Sequence, residues 1–516
     1  MATPGEKLAE SLQILRALQD EHGSVAINTS EINRIHRERL MKNGFLKEVA
    51  KGWYIVSNPQ EKVGDTTSWY TSYWQFCSRY LNDKYGGAYC ISPEQSLLII
   101  TGNYTIPNQL IVRAPNAPNK SIPLLYNTSI LEIKSPLPNK ADVIEEKGIN
   151  MLTLPSALIH CSPTMFEKNP IEMRTTLVQI TDASEILQQL LDGSHTVIAG
   201  RLAGAFRNLG QDRIADDIVK TMRTADFDVR ENAPFQNQLA TELSFREKSP
   251  YANRIRLMWQ NFREMIIKHF PESPGIPEDK KGYLKAVDEI YTTDAYHSLS
   301  IERYVVSVDL IEKVRSGAWD LAENAEDKKH RDAMAARGYW QASQAVKGSI
   351  EKILDGANPG KVADRDHSDW YRELFAPSVA AGILKPSDLA GYRTNQVYIA
   401  QSMYVPLNKD AVRVDMPVLF ELLEKEEHAG VRAVLGHFIF VYIHPYMDGN
   451  GRMGRFLMNV MLASGGYPWT VIPVEERDNY MQALEKASVD NDIEPLAKFI
   501  SNLVHQSLKG SPVACL

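Results

Sequence analysis

The chain has 516 residues, 44% hydrophobic and 23% charged, with 57 basic against 64 acidic side chains and a net charge of -7. This balance excludes a nucleic-acid footprint spread over the whole chain and leaves only local basic patches. Its length predicts about three or four domains with large cores. Its four cysteines, Cys77, Cys90, Cys161 and Cys515, are scattered with no CxxC spacing and suggest neither a zinc site nor a disulfide framework.

The N-terminus, MATPGEKLAESLQ, has no apolar signal core, and Cys515 stands next to last, so no prenylation box is formed. The expectation is a cytoplasmic protein with no membrane partner. Residues 1–57 read as a small α-then-β unit. Leu8, Leu12, Leu15 and Leu18 form one helical stripe. A second helix is expected after Thr29 or Ser30 as N-cap, carrying Ile32, Ile35 and Leu40 and ending at Gly44. Two short strands follow, FLKEV and GWYIV, with a turn over Ala50 to Gly52. The stretch GFLKEVAKGWYIV resembles the wing of AbiEi-type antitoxin regulators, which implies a winged-helix domain. Between Glu31 and Lys51, the basic residues Arg34, Arg37, Arg39, Lys42, Lys47 and Lys51 outnumber Glu31, Glu38 and Glu48. This balance suits a recognition helix and makes Arg34, Arg37, Arg39, Lys42 and Lys51 candidate DNA contacts. A winged helix used for protein contact, or an ordinary solvated face, fits the same residues.

Residues 58–195 are expected to form an α/β regulator-like domain behind the polar linker NPQEKVGDTTS. An aromatic helix, SWYTSYWQFCSRYL, leads it. The runs LLIITG, QLIVRA and ILEIKS read as strands between Pro/Asn turns. His160-Cys161 has no visible third partner and reads as structural rather than as a thiol site. Residues 196–275 read as a helical connector, with helices over HTVIAGRLAGAFRNLG, IADDIVKTMRTADF and Tyr251 to Phe270, and a linker FDVRENAPFQ between the last two.

The catalytic unit is expected over 276–510. Its first informative stretch is DAYHSLSIERYVVS, 294–307, a helix with one polar face that carries Ser298 and Glu302. Its second is GYRTNQVYIAQSMYVPL, 391–407, whose alternation around Gln401-Ser402 reads as a β-hairpin. The third is the loop HPYMDGNGRMGR, His444 to Arg455, between the apolar runs VRAVLGHFIFVYI and FLMNVMLASGG. Both runs are shorter than the ~20 apolar residues that a membrane span needs, so they read as buried helices. Pro445 should stop the first, leaving His444 at a helix end as a general base. Asp448 offers hard oxygens to Mg²⁺. Gly449 and Gly451 permit a tight turn and close backbone approach to a ligand. The next helix should begin near Arg452, with free N–H groups facing the loop and with Arg452 and Arg455 on one face. A base, a metal ligand, an anion nest and two guanidinium forks together imply nucleotide phosphate transfer. The spacing is not that of a Walker A loop. Helices over ERDNYMQALEKAS and NDIEPLAKFISNLVHQSL follow, and the last residues are expected to be disordered.

This loop resembles the Fic signature HxFx(D/E)GNGRxxR, with Tyr446 in place of Phe. The resemblance covers roughly 280–508 and implies a mainly α fold: an all-helical Fic domain with a β-hairpin flap, preceded by the winged helix and the small α/β domain. It implies a protein adenylyltransferase that moves AMP from ATP, with Mg²⁺, to a Ser, Thr or Tyr hydroxyl of a target protein. His444 would be catalytic. Gly449, Asn450, Gly451, Arg452, Met453, Gly454 and Arg455 would hold ATP, together with Val397, Ala400 and Tyr480. Ser298 and Glu302 match the inhibitory pattern (S/T)xxxE(G/N), with Arg303 departing from Gly or Asn. The resemblance makes Glu302 an ion-pair partner of Arg455 in place of the γ-phosphate; a solvated Glu on a helix is the plain alternative. The flap would dock a target strand. Removal of AMP by the same fold, and a DNA-binding regulator whose Fic unit senses nucleotide, remain open, as does homo-oligomerisation.

Overall fold

The computed structural model describes residues 3–22, 25–61, 64–235, 249–317 and 331–516. Two residues of the expected first linker, 62 and 63, and residue 236 of the second lie outside them. Two compact units share the chain: Met1–Pro250 with Tyr398–Val405, and Tyr251–Val397 with Pro406–Leu516.

The N-terminal unit opens with α1 (Pro4–His22), β1 (Ala26–Asn28), α2 (Arg34–Lys42), β2 (Leu46–Ala50) and β3 (Trp53–Val56). The strands form an antiparallel sheet in the order β1-β3-β2. The α2 N-cap is Asn33, whose side chain accepts from the Ile35 N–H. Thr29 and Ser30, the expected caps, lie in a turn held by the Asn28 carboxamide. Gly52 turns the strand pair at φ +82°, a conformation that costs glycine little.

Next come α3 (Thr67–Tyr85), β4 (Cys90–Ile91), α4 (Pro93–Ile100), β5 (Gln109–Ala114), β6 (Lys120–Pro123), β7 (Ser129–Lys134), β8 (Val143–Glu146) and β9 (Ile149–Leu152). A four-stranded sheet runs β4-β5-β7-β6, with β5 and β7 parallel, and β8-β9 is a separate antiparallel pair. The core gathers Trp69, Tyr73, Phe76, Leu110, Val112 and Ile130. The expected strand LLIITG is helical instead. Ser92 caps α4 by accepting from the Gln95 N–H, and Pro93 stands at its first position. A short run that is apolar at every position carries no polar–apolar period, so the cap decides. The unit closes with α5 (Leu154–His160), α6 (Thr164–Lys168), α7 (Pro170–Val178), α8 (Ser184–Asp192), α9 (Thr196–Asn208) and α10 (Asp212–Thr224).

The C-terminal unit is helical: α11 (Pro250–His269), α12 (Lys280–Ile301), α13 (Val308–Arg315), α14 (Arg331–Leu354), α15 (Pro359–Ala380), α16 (Lys409–Lys425), α17 (Ala429–Ile443), α18 (Asn450–Ala463), α19 (Arg477–Val489) and α20 (Glu494–Leu508). α17 is apolar on every face, the mark of a helix surrounded by protein. It packs on α16, α18, α19 and α20, while α12, α14 and α15 cover α18. Among the described residues no helix is long and apolar enough to cross a membrane.

Two expectations fail here. The stretch 391–407 contains no strand. Its stems are clipped by a side chain instead, since the Gln396 carboxamide donates to the carbonyls of Val397 and Pro406. The chain end is not loose: Ala514 is buried, and the Cys515 carbonyl accepts from His297 at 3.2 Å.

Candidate active site

The loop between α17 and α18 is built from both ends. Proline has no N–H to donate, so Pro445 ends α17 at His444. His444 takes a left-handed backbone, φ +55°, which is uncommon outside glycine. Its Nδ1 lies 3.1 Å from the Val441 carbonyl. A carbonyl only accepts, so Nδ1 carries the proton and Nε2 keeps its lone pair. Burial, with help from Arg393, lowers the pKa of the imidazole to about 4, against the opposing pull of Val441, Glu302 and Asp448. The ring is therefore neutral at physiological pH and competent as a base.

Asn450 clamps the loop in both directions. Its Oδ1 accepts from the Tyr446 N–H at 2.9 Å, and its Nδ2 donates to the Tyr446 carbonyl at 2.8 Å. Tyr446 takes the Phe position of the signature as a buried ring stacked on Tyr371, 3.8 Å between centroids. Gly449 caps α18 at φ +83°, and a Cβ there would meet the Phe375 ring at 2.8 Å. α18 thus starts at Asn450, two residues earlier than expected, because the left-handed glycine releases the chain into the helix.

Arg452 is 1% exposed. Its guanidinium lies between the rings of Tyr304 and Phe375, 5.0 and 4.9 Å from their centroids. Its Nε and Nη2 have no hydrogen-bond partner among the described residues. Asp448 approaches its Nη2 at 3.6 Å. A desolvated cation with free donors calls for an anion.

Arg455, 3% exposed, is satisfied on one side. Its Nε donates to Ser298 Oγ at 2.8 Å, and its Nη2 to the Ser298 carbonyl at 3.0 Å and to Glu302 Oε1 at 2.8 Å. Its Nη1 has no hydrogen-bond partner among the described residues. Burial works against its charge, but the Glu302 carboxylate together with the Tyr480 and Tyr339 hydroxyls outweighs burial and raises its pKa. Asp294, Ser298 and Glu302 follow each other at four-residue steps along one face of α12. The buried Asp294 accepts from the Tyr339 hydroxyl at 2.6 Å, and desolvation raises its pKa. The helix ends in a Schellman arrangement, with Tyr304 N–H donating to Leu299 and Arg303 N–H to Ser300. Arg303 holds the left-handed position at φ +65°, where Gly or Asn is usual.

Other sequence candidates are placed as follows. Met453 is buried, and Gly454 faces His437, where a Cβ would come within 2.9 Å of Nδ1. Tyr480 is buried, its hydroxyl 2.7 Å from His437 Nε2. Val397 is buried in the C-terminal unit, whereas Ala400 is exposed in the segment grouped with the N-terminal unit. In α2, Arg34 is paired with Glu38 at 2.6 Å, Arg37 covers the Tyr54 ring, and Arg39 donates to the Lys7 carbonyl and Ser11. Lys42 and Lys51 are exposed. The Cys161 thiol is buried, and desolvation pushes its pKa up to about 12, so it is a poor nucleophile.

Asp448 is a lone carboxylate, 60% exposed, with one oxygen accepting from the Gly449 N–H at 2.6 Å. Among the described residues no cluster of three or more His, Cys, Asp or Glu could hold a metal. One carboxylate beside an anion nest suits a Mg²⁺ that completes its shell with phosphate and water. Arg393, Tyr304 and Phe375 were not singled out from the sequence. The Arg in GYRTNQ was the available signal, since a cation set just before a predicted hairpin invites the question of what it binds.

Residues 367–462 match the Fic/DOC family. The chain is 27% identical over 242 residues to the protein adenylyltransferase Fic of Drosophila yakuba, covering 45% of this chain and 44% of that protein. It is 26% identical over 242 residues to the protein of the same name from Drosophila melanogaster, with the same coverage. The chain therefore spans less than half the length of these curated relatives. Among solved structures, Fic-1 from C. elegans aligns with a TM-score of 0.37 at 17% identity, over 67% of this chain and 96% of that one. A Fic family protein from Desulfovibrio desulfuricans G20 aligns with a TM-score of 0.34 at 19% identity, over 53% and 77%.

Proposed function

We propose that this chain is a Fic-type protein adenylyltransferase held in check by Glu302. The observation that carries the reading is the pair of buried guanidinium groups, Arg452 and Arg455, on the helix that follows a neutral histidine, each with N–H groups free for an anion. His444 Nε2 takes the proton from a hydroxyl of a target protein. The freed oxygen attacks the α-phosphorus of ATP, and the bond to the bridging oxygen breaks, releasing pyrophosphate. Arg452 and Arg455 stabilise the charge on that leaving group from a site that excludes water. Asp448 would hold Mg²⁺, which neutralises phosphate charge when bound.

Glu302 is a carboxylate at the N-terminus of α18, where a phosphate would be welcome. While it pairs with Arg455, one of the two guanidinium forks is taken and the triphosphate cannot settle productively. Removal of the carboxylate should release transfer. The experiment is incubation with Mg²⁺ and α-³²P-ATP, beside γ-³²P-ATP, for wild type, Glu302→Gly and His444→Ala. Label from the α position only, stronger in Glu302→Gly and lost in His444→Ala, is the expected result. Label from the γ position, or equal label in all three proteins, overturns it.

A further inference from the structure

Arg393 is buried to 1% exposure within the C-terminal unit, two residues after Gly391. Backbone carbonyls from two places converge on its guanidinium. From the end of α17 come His444, accepting from Nε at 2.8 Å, and Ile443, 3.5 Å from Nη2. From the stems of the 391–407 segment come Asn395, 2.9 Å from Nη1, and Leu407, which also accepts from Nη2. The Arg393 N–H itself donates to the Pro445 carbonyl at 2.9 Å. Carbonyls 443, 444 and 445 are thus all held by one residue.

Those carbonyls lie at the C-terminal end of a helix, where the backbone presents partial negative charge and a cation is favoured. They also flank the left-handed His444, a conformation that persists only where its surroundings impose it. A five-donor planar fork can reach four carbonyls in different directions; an ammonium cannot.

We infer that Arg393 is the positioning residue of this site, fixing the left-handed backbone of His444, and with it the imidazole, to both stems of the segment 391–407. The inference rests on the reading of His444 as the transfer base. It adds that the base and the stems move as one body, so that loosening either stem displaces the base. A misplacement of about 1 Å is enough to cost two orders of magnitude in rate.

The test uses the full chain carrying Glu302→Gly, with self-labelling by α-³²P-ATP as the rate readout. The second readout is the ring titration of His444 by NMR, its signal assigned by loss in His444→Gln. Arg393→Lys keeps the charge and removes the fork. It should lower kcat at least about ten-fold while the KM for ATP stays within about two-fold. Gln396→Ala removes the exposed stem clip without touching Arg393, and should lower kcat in the same sense by a smaller factor. Arg393→Gln should also move the His444 titration upward, since it removes a cation; Glu302 and Asp448 are the other charged groups bearing on that ring, and Glu302 is already absent from the parent. Free guanidinium should partly restore Arg393→Gln. A uniform loss of folding would raise KM and lower the melting point instead. Parental kcat in Arg393→Lys overturns the inference. If that variant does not fold, parental kcat in Gln396→Ala overturns it equally. If the parent transfers no label at all, the proposed function falls, and the His444 titration in Arg393→Gln still decides: an unmoved ring overturns the role of Arg393.

Discussion

Glu302 Oε1 occupies the space that a side chain on residue 451 would fill: a Cβ built on Gly451 overlaps that oxygen and comes within 3.2 Å of Arg455 Nη1. The missing side chain of Gly451 is what allows the carboxylate to reach the first turn of α18. Gly451→Ala should push the flexible end of Glu302 away from Arg455. The expected outcome is self-labelling above wild type but below Glu302→Gly. Adding Gly451→Ala to Glu302→Gly should give no further rise. A double mutant more active than Glu302→Gly would mean that the two residues act independently.

Arg303 bears the strain of the turn that ends α12. Arg303→Gly removes a left-handed penalty of about 1 kcal/mol, without loss of the Schellman bonds. If that turn belongs to the closed state, the closed population rises and basal self-labelling falls about five-fold. Labelling in the Glu302→Gly background should stay unchanged, because no latch remains to be strengthened. Rate assays on the four proteins decide it, and a fall in both backgrounds counts against the latch.

Arg452 is a buried cation with unpaired donors among the described residues. Arg452→Met should therefore stabilise the ATP-free protein, by about 1–4 kcal/mol, as apolar replacement of buried charge often does. The same change should weaken ATP binding ten-fold to a hundred-fold, from lost charge-assisted hydrogen bonds worth roughly 1.5–3 kcal/mol. Thermal melts with and without Mg²⁺-ATP read both effects. A lower melting point without nucleotide would show that Arg452 is held by structure rather than reserved for phosphate.

His437 and His444 are both kept neutral by burial. His437, fully buried with Nε2 against the Tyr480 hydroxyl, and His444 both have their pKa lowered by burial from 6.5 to about 4. Above pH 6.5 both folded and unfolded forms are neutral there, and neither contributes a slope. As the pH falls below 6.5 the unfolded chain takes protons first, so stability is lost progressively down to about 4. For His437 alone this loss is roughly 3 kcal/mol. Urea midpoints at pH 7 and pH 5 should differ less in His437→Gln than in wild type. In activity, kcat/KM for Glu302→Gly should show no inflection near 6.5, because the base is already unprotonated.

Where the sequence had a strong local signal, the structure follows it. The left-handed Gly449, Pro445 and the largely apolar flanks place the loop at 444–455 to within two residues, whereas Gly451, expected in the turn, lies inside α18. The LLIITG run shows the limit, because four successive apolar residues carry no polar–apolar period and only the Ser92-Pro93 cap distinguishes a helix. The segment 391–407 alternates like a strand, but side-chain clips from Gln396 and Arg393 satisfy its stems in place of a ladder. Tyr304 and Phe375 were invisible because each acts on Arg452, far along the chain, and nothing near them records that partner; Arg393 was visible only as a cation before the 391–407 segment, without its partners at the end of α17.

Phe375 touches two residues that the signature treats as separate. One region of its ring fills the space in which a Cβ on residue 449 would stand, and its face supports the guanidinium of Arg452. A larger residue at 449 requires a smaller one at 375, and a smaller one at 375 leaves Arg452 with Tyr304 as its remaining aromatic neighbour among these two. The three positions therefore carry a single constraint. In a set of homologues, exchanges at 375, 449 and 452 should appear together or not at all, although two helices separate the first from the others.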